Sequence, residues 1–433
     1  MKRKVLAATS LLAAGAMFLA GCTASPQKSV PALGNEGPGT GTVNFLGPED
    51  PATFAPVIAA FHAKNPDITV KYSQVPFDQL NSTLQQRLGA KDETIDLYTV
   101  DQPRVSQLAA QGFLEDLSDL KDRTKAAVPE AQFSVNIYDG KMWALPIWNS
   151  TQLLFFNKKA LDAAGVKYPS SDPTERKTWE ELVTDAKAVQ AAGTKYGLLL
   201  EQVEAYYQLQ PLAESAGGGP GITGDKMLTV DITNAGWEKA MQWYSDTFSS
   251  GLSPRGVGGF QTSPLFTSGK VAYFVGGPWD VGGFSKSNID WGIAPMPYFE
   301  GGSKVTPTGS WSWGINPASK NKAAAKKFLE FASLDPAGNL ATTAATTIIP
   351  ANGAATEQYL PKLEALGGNK TKGLAQLIAH ENSESAKPRP VSVGYIQFEE
   401  IMGKAFADIR NGSPVNDRLK QAAQQITDAW KQL

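Results

Sequence analysis

Phe266-Thr-Ser-Gly-Lys-Val-Ala-Tyr-Phe-Val-Gly-Gly-Pro-Trp-Asp280 is the stretch on which the reading of the chain turns. Residues 270–275 form a short β-branched and aromatic run bounded by glycine, the pattern of a buried strand. Gly276-Gly277-Pro278 predicts its end, because the glycines permit unusual backbone angles and the proline has no N–H to give a sheet. Trp279 and Asp280 follow the break directly. An aromatic and a carboxylate at the carboxyl end of a strand suit the wall of a cleft, where open α/β sheets bind ligands. The same fragment also fits a core tryptophan after a turn.

The segment resembles the signature of the family 1 extracellular solute-binding proteins, the maltose-binding-protein-like receptors of ABC sugar importers. Trp-Gly-Ile-Ala-Pro-Met-Pro at 291–297 and Gly-Ser-Trp-Ser-Trp-Gly-Ile-Asn at 309–316 follow in the family's order. Upstream, Asn-Pro-Asp-Ile-Thr-Val at 65–70, with Phe61 in the aromatic place, is similar to another family pattern. The run 141–157, with Pro146, a few variable residues and an apolar stretch closed by Asn157, resembles the first crossing between two lobes. Ile348-Ile-Pro-Ala resembles a further crossing. The resemblance implies an α/β, periplasmic-binding-protein-like fold: two α/β lobes joined by hinge strands, with a ligand cleft between them.

The chain has 433 residues, more than one comfortable core, so two domains are expected. At 42% hydrophobic and 19% charged it is an ordinary globular sequence, neither disordered nor a multi-span membrane protein. The N-terminus carries the most specific short signal. Met1-Lys-Arg-Lys is a positive leader end, and residues 5–20 are apolar but shorter than the ~20 that span a bilayer. Leu19-Ala20-Gly21-Cys22 resembles a bacterial lipobox, which implies a signal peptide over 1–21 and lipidation of Cys22. Cys22 is the only cysteine, so no intrachain disulfide or cysteine-based metal site is expected. Loss of the leader takes 40 basic residues to 37 against 42 acidic ones, near −5, which argues against a polyanion partner. Residues 22–41 read as a Ser, Pro and Gly-rich flexible tether.

Alternation of strands and helices from Thr42 to Asp101 predicts a parallel sheet. The first lobe is expected to hold 42–148 and 315–350, and the second 152–314 and 351–433. Glu49 stands where the first strand ends and a ligand could reach it, while Asp50 and Pro51 read as the cap and first residue of the next helix. The family often places a ligand-binding acid near the end of the third strand, a role the resemblance carries to Asp101. Trp148, Asn149 and Ser150 fall where a hinge faces the cleft, and Asn and Ser there could bond sugar hydroxyls. In the family the small residues and aromatic before the 311 strand approach the ligand, which assigns Gly309, Ser310 and Trp311. Trp279 and Asp280, the candidate cation Arg389, and Tyr395 complete the expected site.

Six of the ten tryptophans lie in the crossing or signature region. A pyranose needs a flat aromatic platform for its C–H face and polar partners for its hydroxyls, so a carbohydrate, in particular an oligosaccharide, is the expected ligand. A phosphate site would want helix N-termini and basic groups, and an Fe³⁺ site clustered Tyr or His, of which there are only two histidines, His62 and His380. Metal and cofactor are not expected, nor is nucleic acid. The partners expected are permease subunits of an ABC transporter and, through Cys22, the membrane, with the protein itself a monomer. Two other classes remain open. A secreted hydrolase would use two carboxylates, for which Asp101 and Asp280 are available, though no activated nucleophile or metal motif accompanies them. An adhesive lipoprotein would need neither.

Overall fold

The computed structural model describes residues 39–433. The expected signal peptide, Cys22 and all of the expected tether before residue 39 lie outside the described residues.

Two sheets organise the chain. The first runs Ile68–Gln74, Gly41–Gly47, Leu97–Asp101, Trp311–Ile315, Leu145–Pro146 across its width, and its first three strands are parallel. The second runs Trp291–Pro295, Leu153–Asn157, Val271–Gly276, Tyr196–Leu200. Alternate residues of these strands face opposite sides, and each side is covered by helices. In the first sheet Phe45 and Trp313 pack with Phe54, Phe61 and Phe328 on one face, while Leu46, Tyr98 and Val100 meet Leu80, Leu84 and Val105 on the other. In the second, Leu154 and Phe156 face Trp179, Trp237 and the tail helices Tyr395–Arg410 and Val415–Trp430, and Leu153 and Phe155 face Phe284, Leu363 and Leu377. Both faces of both sheets are therefore dry, which is why their strands read as near-continuous apolar runs.

Local signals fall where the sequence puts them. Asp50 accepts a hydrogen bond from the Ala52 amide at the start of helix Pro51–Lys64, and Thr178 and Glu181 close a capping box on helix Trp179–Ala191. The change-over between sheets is the exception. Trp311–Ile315 pairs with Leu97–Asp101 and Leu145–Pro146, so the chain has re-entered the first sheet by Trp311 and not at 315. Trp313 decides this: its ring is wholly buried against Phe45, Phe54 and Phe328 of the first core.

Register shows how the sheets face one another. Pro146 pairs with Ser312 at the edge of the first sheet, and Leu153 pairs with Gly276 and Pro295 at the edge of the second. The short link between them contains the Trp148–Asn149 strand, paired with Ile349–Pro350. The edge of the first sheet that carries Asp101 and Trp311 is thus tied closely to the edge of the second that carries Gly276 and Leu200.

Candidate functional site: a cleft between two sheet edges

Four strand ends supply the walls. On the first edge, Gly47 ends one strand two residues before Glu49, and Asp101 ends another directly opposite Trp311. On the second, Leu200 and Val275 are paired, so Glu201 and the turn at 278–280 emerge side by side.

The two glycines that end the strand, Gly276 and Gly277, have separate duties. A β-carbon on Gly276 would lie 2.4 Å from a carboxylate oxygen of Asp280, and one on Gly277 would lie 2.3 Å from the Trp279 ring. Gly277 has an extended backbone, so close approach is what requires glycine there. Asp280 folds back over the strand end, accepting hydrogen bonds from Ser263 Oγ (2.7 Å) and the Gly277 amide (3.2 Å). Trp279 is half-buried, and its Nε1–H donates to both carboxyl oxygens of Glu201 at 2.8 and 2.9 Å. A hollow of about 440 Å³ beside it is lined by Ser263, Thr267, Trp279, Asp280 and Lys286 among others. Across the mouth, Phe77 from the first half meets Phe260 from the second edge-to-face at 6.3 Å, and Phe77 also meets Trp311 at 5.8 Å. Phe77 and Phe260 are 54% and 84% exposed, so the cleft carries accessible aromatic faces from both sides.

Three carboxyls here are held above their usual range by loss of water. Burial pushes Glu49 up to about 7, and Asp280 also to about 7 against the pull of its Ser263 and Gly277 hydrogen bonds. Glu201 is raised well above a normal glutamate, chiefly by desolvation and further by the neighbouring Asp280.

Asp101 and Arg389 find each other. The Arg389 guanidinium forks onto the Asp101 carboxylate at 2.9 and 2.5 Å and lies 5.3 Å from the centre of the Tyr207 ring. Arg104 bridges Asp101, at 3.6 Å, and Glu399, while Arg389 reaches Glu399 at 3.6 Å. Asp101 and Arg104 follow a strand of the first sheet, and Arg389 and Glu399 belong to the tail packed on the second, so this ring of two acids and two bases joins the halves. Gln107 adds neutral bonds to Gln397 and the Ile396 amide.

Several expected ligand residues are committed elsewhere. Trp148 is 2% exposed, stacked on Phe54 at 5.4 Å, and its Nε1–H donates to Thr342, which makes it a core residue with no free face. Tyr395 is fully buried between Tyr206 and Phe398, and its hydroxyl donates to Glu399. The Asn149 carboxamide oxygen accepts from Gln132, Thr308 and the Ser150 amide, and the buried Ser150 hydroxyl bonds Tyr207 and donates to the Gly309 carbonyl. Gly309 has φ +89°, and a β-carbon there would lie 2.8 Å from the Gln102 carboxamide oxygen, which accepts from the Ser310 amide. These residues build the floor of the link between sheets. Glu49, Trp279 and Trp311 are half-buried and Asp280 is buried. The sequence reading missed Glu201, Tyr207, Phe77 and Phe260. Glu201 was detectable, since it ends the apolar run 196–200 as Trp-Asp follows 271–276; the two phenylalanines sit in helix starts with no periodic signal.

Among the described residues no group of three His, Cys, Asp or Glu could hold a metal ion, and no helix is long and apolar enough to cross a membrane.

Two layered α/β halves with facing strand ends define a bilobal binding fold. The chain belongs to the bacterial extracellular solute-binding protein family, which matches residues 47–339. It is 27% identical over 303 residues to the maltodextrin-binding protein MdxE of Bacillus subtilis, covering 68% of this chain and 69% of that one. It is 23% identical over 427 residues to a mannitol-binding protein of Pseudomonas aeruginosa, covering 94% and 96% respectively. Among solved structures, the GacH receptor of Streptomyces glaucescens, described unliganded and with acarbose, superposes with a TM-score of 0.76 at 23% identity, covering 91% of this chain and 98% of that one. The ABC substrate-binding protein Lmo0181 of Listeria monocytogenes, in complex with cycloalternan, gives 0.78 at 19% identity, covering 90% and 99%. The fold is that of the periplasmic binding proteins, as the sequence predicts, and the relatives are binding proteins.

Proposed function

We propose that the protein is the lipid-anchored receptor of an ABC importer, capturing a carbohydrate by closure of the two halves and delivering it to a membrane permease. The observation that carries this reading is the Trp279 indole, presented at the cleft edge by rigid backbone with carboxyls beside it. An indole face and nearby hydrogen-bonding oxygens are what a pyranose ring and its hydroxyls require. The relatives named for maltodextrin and mannitol, and the fold neighbours crystallised with acarbose or cycloalternan, support the polyol and oligosaccharide class. Trp279, Trp311 and Glu49 are the proposed ligand contacts, with Tyr207 added. The Asp101–Arg389 pair is proposed to serve closure. The two halves, joined at the 146–153 link and at its partners near 309 and 349, are proposed to hinge as rigid bodies.

A thermal-shift panel of soluble protein against maltooligosaccharides, other oligosaccharides, mannitol, amino acids and anions tests the reading. A carbohydrate at about 100 times its dissociation constant adds about 2.7 kcal/mol of stability. A shift by amino acids or anions alone would overturn it. The proposed anchor has its own test: Cys22→Ser should move the protein from the membrane to the soluble fraction with unchanged sugar affinity, whereas membrane retention of the variant would refute lipidation.

A further inference from the structure

We propose that Glu201 is the positioning residue of the Trp279 platform, fixing the angle at which the indole faces the cleft and through it the affinity for a stacked sugar ring. The second part rests on the carbohydrate reading above; the clamp itself is a matter of this chain's own contacts.

The indole is held on independent sides. Its six-membered ring lies against the bare Cα of Gly277, where a β-carbon would come within 2.3 Å of two ring carbons and 2.5 Å of a third. Its five-membered ring is held by Glu201, whose two oxygens lie 2.8 and 2.9 Å from Nε1. The backbone beneath is pinned as well, since Thr347 Oγ1 donates to the Trp279 carbonyl at 2.9 Å. A tryptophan side chain has two rotatable bonds. A wall at one edge and a hydrogen bond at the other leave one orientation.

The choice of acceptor sets Trp279 apart. Trp143, Trp291 and Trp430 donate to backbone carbonyls and Trp148 to a threonine hydroxyl, whereas among the described residues Trp279 alone donates to a carboxyl group. Merely satisfying an indole N–H needs no acid. Placing a glutamate here is costly, because its carboxyl is stripped of water, lies near Asp280, and has no cation among its hydrogen-bond or ion-pair partners. What the side chain provides is an acceptor oxygen of fixed reach at the end of the neighbouring strand, which accepts from Nε1 whether or not the group is protonated. Pre-organising a flat face in this way spares the ordering cost that a mobile ring would pay on binding.

The test pairs an indole signal with an affinity, using maltotriose as the probe. The Nε1–H resonance of Trp279 is assigned by its absence in Trp279→Phe, against the other nine of the ten tryptophans. Glu201→Ala should move that resonance and speed its hydrogen exchange about tenfold or more, while Glu201→Gln, which keeps an acceptor oxygen of the same reach, should leave both near wild type. Maltotriose affinity should fall about fivefold or more in Glu201→Ala and change by less than about twofold in Glu201→Gln. An indole resonance unmoved by Glu201→Ala overturns the clamp. So does a moved resonance with unchanged maltotriose affinity in a protein whose Trp279→Ala form has lost binding. Wild-type protein that ignores maltotriose counts against a maltooligosaccharide ligand, and equal binding by Trp279→Ala counts against the stacking role of Trp279; in either case the indole resonance decides the clamp alone. If Glu201→Ala fails to fold, Glu201→Asp, which shortens the reach by one carbon, takes its place in both measurements.

Discussion

Tryptophan at position 148 and tryptophan at position 279 each closely follow a proline, Pro146 and Pro278, and precede a polar residue, Asn149 and Asp280, yet the fold uses them oppositely. Trp148 has a phenylalanine stacked on its face and its N–H spent inside the core. Trp148→Ala should therefore cost about 3–5 kcal/mol of stability, read as a lowered melting temperature. Trp279→Ala should cost far less stability and lower sugar affinity about tenfold or more, measured by calorimetry. A Trp279→Ala protein that melts early but binds normally while folded would remove the residue from the site. Glu49 supplies a pH signature at the same scale. Its folded value of about 7 lies above the unfolded value of 4.5, so the stabilisation is complete below pH 4.5 and is lost as the pH rises through about 7. The melting temperature of wild type relative to Glu49→Gln should therefore fall between those limits; a flat difference would mean that Glu49 stays hydrated.

At the scale of elements, sequence patterning is reliable wherever the cause is local. The cap at Asp50, the box at Thr178 and Glu181, and the strand ended by Gly-Gly-Pro depend on residues within a few positions of each other, and each is legible. The Trp311–Ile315 strand was readable as a strand but not as a member of the first sheet, because its partners lie some two hundred residues earlier. The same distance hid the site chemistry. Arg389 and Asp101 were both singled out, but each as a ligand group, since nothing in the sequence says that residues 288 positions apart neutralise one another. Asn149 and Ser150 were chosen for hydroxyl recognition, and it takes Gln132, Thr308 and Tyr207 to show their bonds already made. Gly309 belongs to this level too. With φ +89° and Gln102 against it, Gly309→Ala should lose about 1–3 kcal/mol through strain in the link between the sheets. Chemical denaturation measures that loss, and an unchanged midpoint would show that the link relaxes freely.

For the whole molecule, the proposed closure makes the ring formed by Asp101, Arg104, Arg389 and Glu399 a balance between two states. With the halves in contact the four charges satisfy one another; with the halves apart each is rehydrated, so the net contribution is a small difference of large terms. Removing one member tilts that balance. Arg389→Met leaves Asp101 facing Arg104 alone, and the unliganded protein should show a larger radius of gyration by small-angle scattering. Saturating sugar should restore the compact value at an affinity about tenfold weaker, roughly 1.4 kcal/mol. An unchanged radius in the variant would mean that aromatic and neutral contacts alone hold the halves together.

The return of Trp311–Ile315 to the first sheet also sets an order of events in folding. The first core lacks the Trp313 ring, and its sheet lacks the strand between Leu97–Asp101 and Leu145–Pro146, until the chain has been made as far as residue 315. Every residue of the second sheet, from Leu153 to Pro295, precedes that moment. Closing so long a loop is entropically costly before its contacts repay it, and pairings of high sequence separation fold slowly. The second half waits longer still. The segments that finish covering its sheet, with Leu363 and Leu377 on one face and helices Tyr395–Arg410 and Val415–Trp430 on the other, are all made after residue 315, so the first half is the one whose core can be completed first.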